Sequence, residues 1–372
     1  MTAADHLRPL TSLRFFAALW VVGYHFLPIL LPGARETIPF VERGRLGVEL
    51  FFILSGFILS HVYFQAFESK AFDYKKFVWA RFARVYPLHL LTMAVFAAVS
   101  VAALVVGISI SGDLTRLDTV WQNLTLTHAW GVSPAAAWNT PSWSISAEWF
   151  AYLAFPLFAT IGMRFRHRPR TFVLVAAASI PALYLVWGGL MGSVMADQTI
   201  LFGVLRIIPT FAYGMALYLW FRDGAFQSRR ASAWLTVCAT VAMLALAALD
   251  AFDGWIVISA GLIILGLAGL ARSGDKTLGH PVLVWLGEVS FAIYMFLYVW
   301  EVLLLKVYEK LGLYVPGEAL HPALWLMLPV GLMMIAPAAH HLVEHPARNA
   351  LRKLYGGLRP KPERTATSSR KV

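Results

Sequence analysis

Residues 12–31 read SLRFFAALWVVGYHFLPILL. A helix needs about 20 mostly apolar residues to cross a bilayer, and this run has that length. It is too long for the apolar core of a cleavable signal, so it reads as a retained first span. Two ionisable residues interrupt it, Arg14 and His25. Charges are expensive inside a membrane and mark function by default. Eleven residues at about 100° each bring both side chains to one face, about 16 Å apart along the axis. One helix face thus presents a fixed cation and a titratable base at two depths.

Similar runs recur outward from this one, near Leu46–Phe64, Leu88–Ile110, Trp143–Met163, Thr171–Trp187 and Leu201–Trp220. They continue at Ala231–Leu249, Trp255–Ala271, Ser290–Tyr308 and Pro322–Val343. The chain has 372 residues, 59% of them hydrophobic and 14% charged, against about a quarter charged in ordinary domains. Its mean hydropathy is +0.66. A cytosolic enzyme, a disordered chain and a collagen-like rod are excluded. The short alternating segments of a β-barrel are absent, and in lipid the backbone must satisfy its own hydrogen bonds. The expected fold is all-α, a polytopic bundle of about ten transmembrane helices spanning residues 1–355. Residues 356–372 form a basic tail expected to be disordered. Asp73–Tyr86 reads as a separate basic helix on the cytoplasmic interface. The loop Ser111–Pro141, with Trp121, Trp130 and Trp138, is placed over the outer mouth of the bundle.

The net charge of +11 does not point to nucleic acid, because the basic residues cluster in short loops between spans. Arg35, Arg43, Arg45, Arg116 and Lys310 fall on one side and Arg14, Arg206 and Lys306 within spans. The rest of the 31 Lys and Arg share the side of both termini. The positive-inside rule makes that side cytoplasmic, in an inner membrane, with membrane lipids as partners. Cys238 is the single cysteine, so no intrachain disulfide forms, and the histidines lack ligand spacing, so no metal site is expected.

Counted from the span edges, His25, Glu49 and Glu148 lie at similar depth near the outer leaflet. A histidine oriented by a carboxylate is the usual equipment for deprotonating a hydroxyl; each residue also reads as an ordinary interhelical hydrogen bond. Arg81 and Arg84, three apart on a helix, share a face. They suit phosphate oxygens or, equally, anionic lipid. Glu301 and Lys306 read as a pair or as snorkelling residues, and Arg206 as an anion ligand or a helix anchor. His89, His128 and His340–His341 read as interfacial or loop residues.

Several segments taken in order resemble the membrane acyltransferase-3 family. They are Leu13-Arg14-Phe15…Tyr24-His25, Gly47-Val48-Glu49-Leu50-Phe51-Phe52-Ile53-Leu54-Ser55-Gly56-Phe57, Phe77…Arg81…Arg84-Val85-Tyr86-Pro87 and Pro141-Ser142-Trp143-Ser144…Glu148. Arg206…Pro209…Phe211…Gly214, Ser290-Phe291…Tyr294 and Glu344-His345-Pro346 follow. The resemblance covers nearly the whole chain up to the tail. It implies an O-acyltransferase that uses acetyl-CoA or another acyl-CoA, bound from the cytoplasm. The acceptor it implies is a carbohydrate hydroxyl, as on an envelope polysaccharide or its lipid-linked precursor. It places the family's arginine–histidine pair on Arg14 and His25, its two-arginine motif on Arg81 and Arg84, and its tryptophan–serine–glutamate motif on Trp143, Ser144 and Glu148. His25 and Glu148 are then the catalytic residues, and Arg14, Arg81 and Arg84 hold the CoA. Trp143, Ser144 and Glu49 face the acceptor. Two positions depart from the family: Glu49 stands where Asp is usual, and Leu297 where a His is common. Acylation of a small cytoplasmic molecule, a transporter and a lipid-binding scaffold remain as alternatives, and homo-oligomerisation is left open.

Overall fold

The computed structural model describes residues 7–105, 115–276 and 278–355. Its secondary structure there is helical, with no strand. The principal helices are α1 (Arg8–Leu30), α2 (Gly47–Glu68), α3 (Tyr74–Val105), α4 (Trp143–Leu153), α5 (Phe155–Phe165) and α6 (Pro169–Met191). They continue with α7 (Gly203–Arg222), α8 (Arg229–Ala248), α9 (Asp253–Arg272), α10 (Pro281–Lys310), α11 (Met327–Ala339) and α12 (His345–Leu354). Among the described residues nine helices are long and apolar enough to cross a membrane; α4 and α5, bent by 60° at their junction, together make a tenth. This is an integral membrane bundle. We call the end where α1 begins and α12 finishes the near end, and the opposite one the far end.

The bundle is built around α7 and α9, which are buried on nearly every side. Close backbone approach fixes α7 against α2: a Cβ on Gly214 would sit 1.9 Å from the Ile53 carbonyl oxygen, so only glycine fits there. Helices α6 and α8 form the lipid-facing rim and expose Leu174, Val175, Leu185, Trp234, Val237 and Val241. Such side chains are at no disadvantage against hydrocarbon.

Three expectations change. The helix expected at the interface, Asp73–Tyr86, and the span expected to start at Leu88 are one continuous helix, α3, which runs through Pro87. Proline removes a backbone donor, yet residues on both sides of it, among them Phe77, Ala83, Val85, Leu88, Met93 and Phe96, are buried, and packing holds the helix together. The span expected to end at Val343 continues through a π turn, His340–Glu344, into α12. The loop at residues 115–142 sinks into the bundle rather than lying over it. Asn139 Nδ2 donates to the Met295 carbonyl at 2.9 Å and the Tyr294 hydroxyl to the Pro141 carbonyl at 2.8 Å. The tail at 356–372 and the end of the third span at Ile110 lie outside the described residues.

Candidate active site

Five helices each turn one stripe toward a cavity of about 150 Å³ in the near half of the bundle. Helix α1 contributes Arg14, α2 Phe51, Ser55 and Leu59, and α3 Arg81 and Arg84. Ser144, Glu148 and Tyr152 come from α4, and Phe291 and Tyr294 from α10. Spacings of three and four residues explain the convergence, since such positions are neighbours on a helix surface. Ser55 donates to the Glu148 carboxylate, and the Ser144 hydroxyl donates to the Tyr294 oxygen at 2.9 Å. Arg81 lies 5.9 Å from the ring centres of Tyr63 and Tyr152, and Arg84 5.3 Å from that of Phe291. Arg14 is within Coulombic reach of Arg84, Glu148 and Glu344. Arg84 is ion-paired with Glu344, which also takes His340 Nδ1 at 2.8 Å. The structure therefore brings Arg14, Arg81, Arg84, Ser144 and Glu148 together around one cationic cavity.

His25 is elsewhere. Its Nδ1 lies 3.3 Å from the Glu301 carboxylate of α10, and its ring meets that of Tyr298 at 6.5 Å. The last cavity residue on α10 is Tyr294, and Glu301 stands seven residues further, a rise of about 10 Å. The carboxylate beside His25 is thus Glu301, where sequence reasoning had placed Glu148. The reason is depth. Helix α2 does not start at the far surface but opposite the middle of α1, where a Cβ on Gly47 would be 2.7 Å from the Ala17 carbonyl oxygen. Helix α4 starts equally deep, because residues 139–142 sit against the middle of α10. Counting from span edges put Glu49 and Glu148 too close to the far surface. Lys306, in turn, pairs with Glu309 at 2.6 Å rather than with Glu301.

Glu49 and Trp143 do not line the cavity. Glu49 is fully buried and receives Arg206 Nε at 2.6 Å, with the Tyr184 hydroxyl at 3.4 Å. The Arg206 guanidinium in turn covers the Trp143 ring at 4.4 Å. These residues form a closed unit behind the cavity wall, so Arg206 is an anchor. His89 and His128, expected at an interface or in a loop, are buried and stacked 5.9 Å apart at an interplanar angle of 5°. His128 Nε2 lies 3.1 Å from Ser142 Oγ. Burial, reinforced by His89, pushes His128 down to about 3, so this imidazole is neutral at physiological pH. Sequence reasoning also passed over Ser55, Tyr152 and Glu344. Tyr152 was findable, one turn on from Glu148; Ser55 and Glu344 sit inside quoted motifs with nothing local to single them out.

A membrane bundle with an arginine-lined cavity and a histidine beside a carboxylate carries groups suited to binding an anion and moving a proton. Residues 10–339 match the family model described as an acyltransferase domain. The chain is 28% identical to the acyltransferase MdmB of Streptomyces mycarofaciens, over 93% of this chain and 92% of that one. It is 24% identical to the exopolysaccharide production protein ExoZ of Rhizobium meliloti, over 89% and 98%. It is 22% identical to the peptidoglycan O-acetyltransferase OatA of Listeria monocytogenes, over 91% of this chain and 55% of that one. No solved structure matches it significantly. The chain belongs to the acyltransferase family and is an integral membrane acyltransferase.

Proposed function

We propose that the protein transfers an acyl group, in the first instance acetyl, from cytoplasmic acyl-CoA to a carbohydrate hydroxyl presented at the far end. The observation that carries this reading is the cavity itself: Arg14, Arg81 and Arg84 line one chamber with Glu148. Guanidinium groups bind phosphate oxygens in bidentate fashion, which suits the nucleotide end of CoA. The excess of Lys and Arg at the near end supports a cytoplasmic position for that end. The names of OatA and ExoZ support a carbohydrate acceptor, as on peptidoglycan or an exported polysaccharide.

In this reading the pantetheine arm parts Phe51 and Tyr294, whose rings meet at 6.2 Å at the end of the cavity, and carries the thioester toward His25. Glu301, 3.3 Å from Nδ1, stabilises the imidazolium, and Nε2 serves as the base. Nε2 takes the hydroxyl proton as the acceptor oxygen attacks the acyl carbon. The C–S bond breaks, and the proton passes to the CoA thiolate. A second reading rests on one observation: Glu148 lines the cavity and His25 does not. Glu148 would then be the base, acting inside the near chamber.

Purified protein in lipid nanodiscs, with radiolabelled acetyl-CoA and extracted envelope glycans, separates the two. Under the first reading His25→Ala lowers kcat by roughly 10²–10⁴ and Glu148→Gln by much less; the reverse order supports the second. Arg81→Ala with Arg84→Ala is expected to raise the KM for acetyl-CoA about a hundredfold and leave the acceptor KM unchanged. Label that reaches no hydroxyl acceptor in any fraction would end both readings.

A further inference from the structure

Beyond residue 339, where the family match stops, the chain does something the motifs do not account for. The π turn delivers α12 alongside the first turns of α3, antiparallel to it. Trp79 Nε1 donates to the Leu351 carbonyl at 2.7 Å, and Trp79 stacks on Tyr355 at 5.9 Å. Glu344, Arg348 and Arg352, four residues apart, face α3 as a ladder. Arg348 lies 3.9 Å from the Glu344 carboxylate and within Coulombic reach of Arg84, Arg352 and Arg81. Arg352 lies within reach of Arg81 and Arg84. Four guanidiniums thus gather where Glu344 is the shared carboxylate, and that carboxylate already serves Arg84 and His340. The Nε atoms of Arg81, Arg348 and Arg352 are buried and have no hydrogen-bond partner. Like charges with unsatisfied donors at a half-buried position are unfavourable unless an anion joins them.

We infer that Arg348 and Arg352 complete a phosphate cradle with Arg81 and take the 3′-phosphate of the acyl-CoA nucleotide, while Arg84 and Arg14 lead the diphosphate and arm inward. The inference rests on the proposed use of acyl-CoA and deepens it. The order follows the ladder: Arg352 is nearest the mouth and Arg84 nearest the cavity. A monoester phosphate carries nearly two charges and three acceptor oxygens, which matches several converging forks better than a single lipid phosphodiester would.

The test compares acetyl-CoA with 3′-dephospho-acetyl-CoA on the full-length protein in nanodiscs, made with and without phosphatidylglycerol. Wild-type protein is expected to bind acetyl-CoA at least about tenfold more tightly. Arg348→Gln with Arg352→Gln should abolish that preference by weakening acetyl-CoA alone, and Arg352→Lys should retain part of it. Wild-type discrimination is read independently of any variant that fails to fold. Equal weakening of both donors, or an unchanged preference, would overturn the assignment. So would an effect confined to nanodiscs containing anionic lipid, which would make the ladder a lipid contact. If wild-type protein binds neither donor, the acyl-CoA reading itself fails; if it binds both equally, only the cradle does.

Discussion

Two groups of buried charges in this protein are arranged in opposite ways. Toward the far end Arg206, Arg45 and Arg43 each lie against at least one carboxylate. Arg206 holds Glu49, Arg45 reaches Asp197 at 2.7 Å and Asp253 at 3.0 Å, and Arg43 reaches Asp253 at 3.1 Å. Toward the near end five arginines, Arg14, Arg81, Arg84, Arg348 and Arg352, gather around Glu148 and Glu344. Matched charges tie helices and short connecting segments into a fixed frame, whereas an excess of one sign leaves room for a ligand of the other. The two groups are built from the same residue types and differ in stoichiometry.

The sharpest way to break this contrast is to remove one cation from each group. Arg206→Ala strands a fully buried Glu49 carboxylate, and losing one partner of a buried pair costs about 3–5 kcal/mol. Thermal unfolding in detergent should show a large drop. Arg81→Ala, measured the same way, should move the unfolding temperature little while lowering donor affinity; equal destabilisation by both would erase the distinction. A smaller effect is expected at the His25 dyad. Glu301→Gln keeps the shape but removes the charge that stabilises an imidazolium, and should lower kcat about tenfold or more with KM unchanged. A KM change alone would make Glu301 a packing residue.

The smallest effect concerns His128. His128 is held near 3 in the folded protein, against an ordinary value of 6.5. Between those values the unfolded chain binds a proton that the folded one does not, so stability falls as pH drops below about 6.5. The unfolding temperature should therefore fall from pH 7 to pH 4 more steeply in wild type than in His128→Gln. Parallel curves would show that this imidazole contributes nothing to acid sensitivity.

Periodicity and charge placement make the number of spans and their alternation legible, because lipid imposes length and apolarity on every crossing helix. Part of the cavity wall was legible too, namely Arg14, Arg81, Arg84, Ser144 and Glu148, whereas Ser55 and Tyr152 were passed over. Depth was not. A span start such as Gly47 or Trp143 looks in sequence like a surface position, and only the short helices at 34–46 and the sunken loop at 115–142 reveal that both begin midway. Pairings between helices were equally hidden: nothing near Glu301 in the chain indicates His25, and nothing near Glu49 indicates Arg206. Continuity through Pro87 depended on buried side chains on both sides of it outweighing a lost hydrogen bond.

The π turn at His340–Glu344 holds one residue more than a regular α-helical path would require. Deleting a single residue there would let the helix rewind with α12 close to its present orientation, because the wide turn absorbs the extra residue. Deleting one residue just after it, at the start of α12, would instead rotate everything beyond by about 100°. The apolar half that packs on α10 would keep its seat, but the basic half would swing off α3 and into lipid or water. A one-codon deletion within α12 would in this way separate the anchoring of the last helix from the phosphate contacts proposed for Arg348 and Arg352.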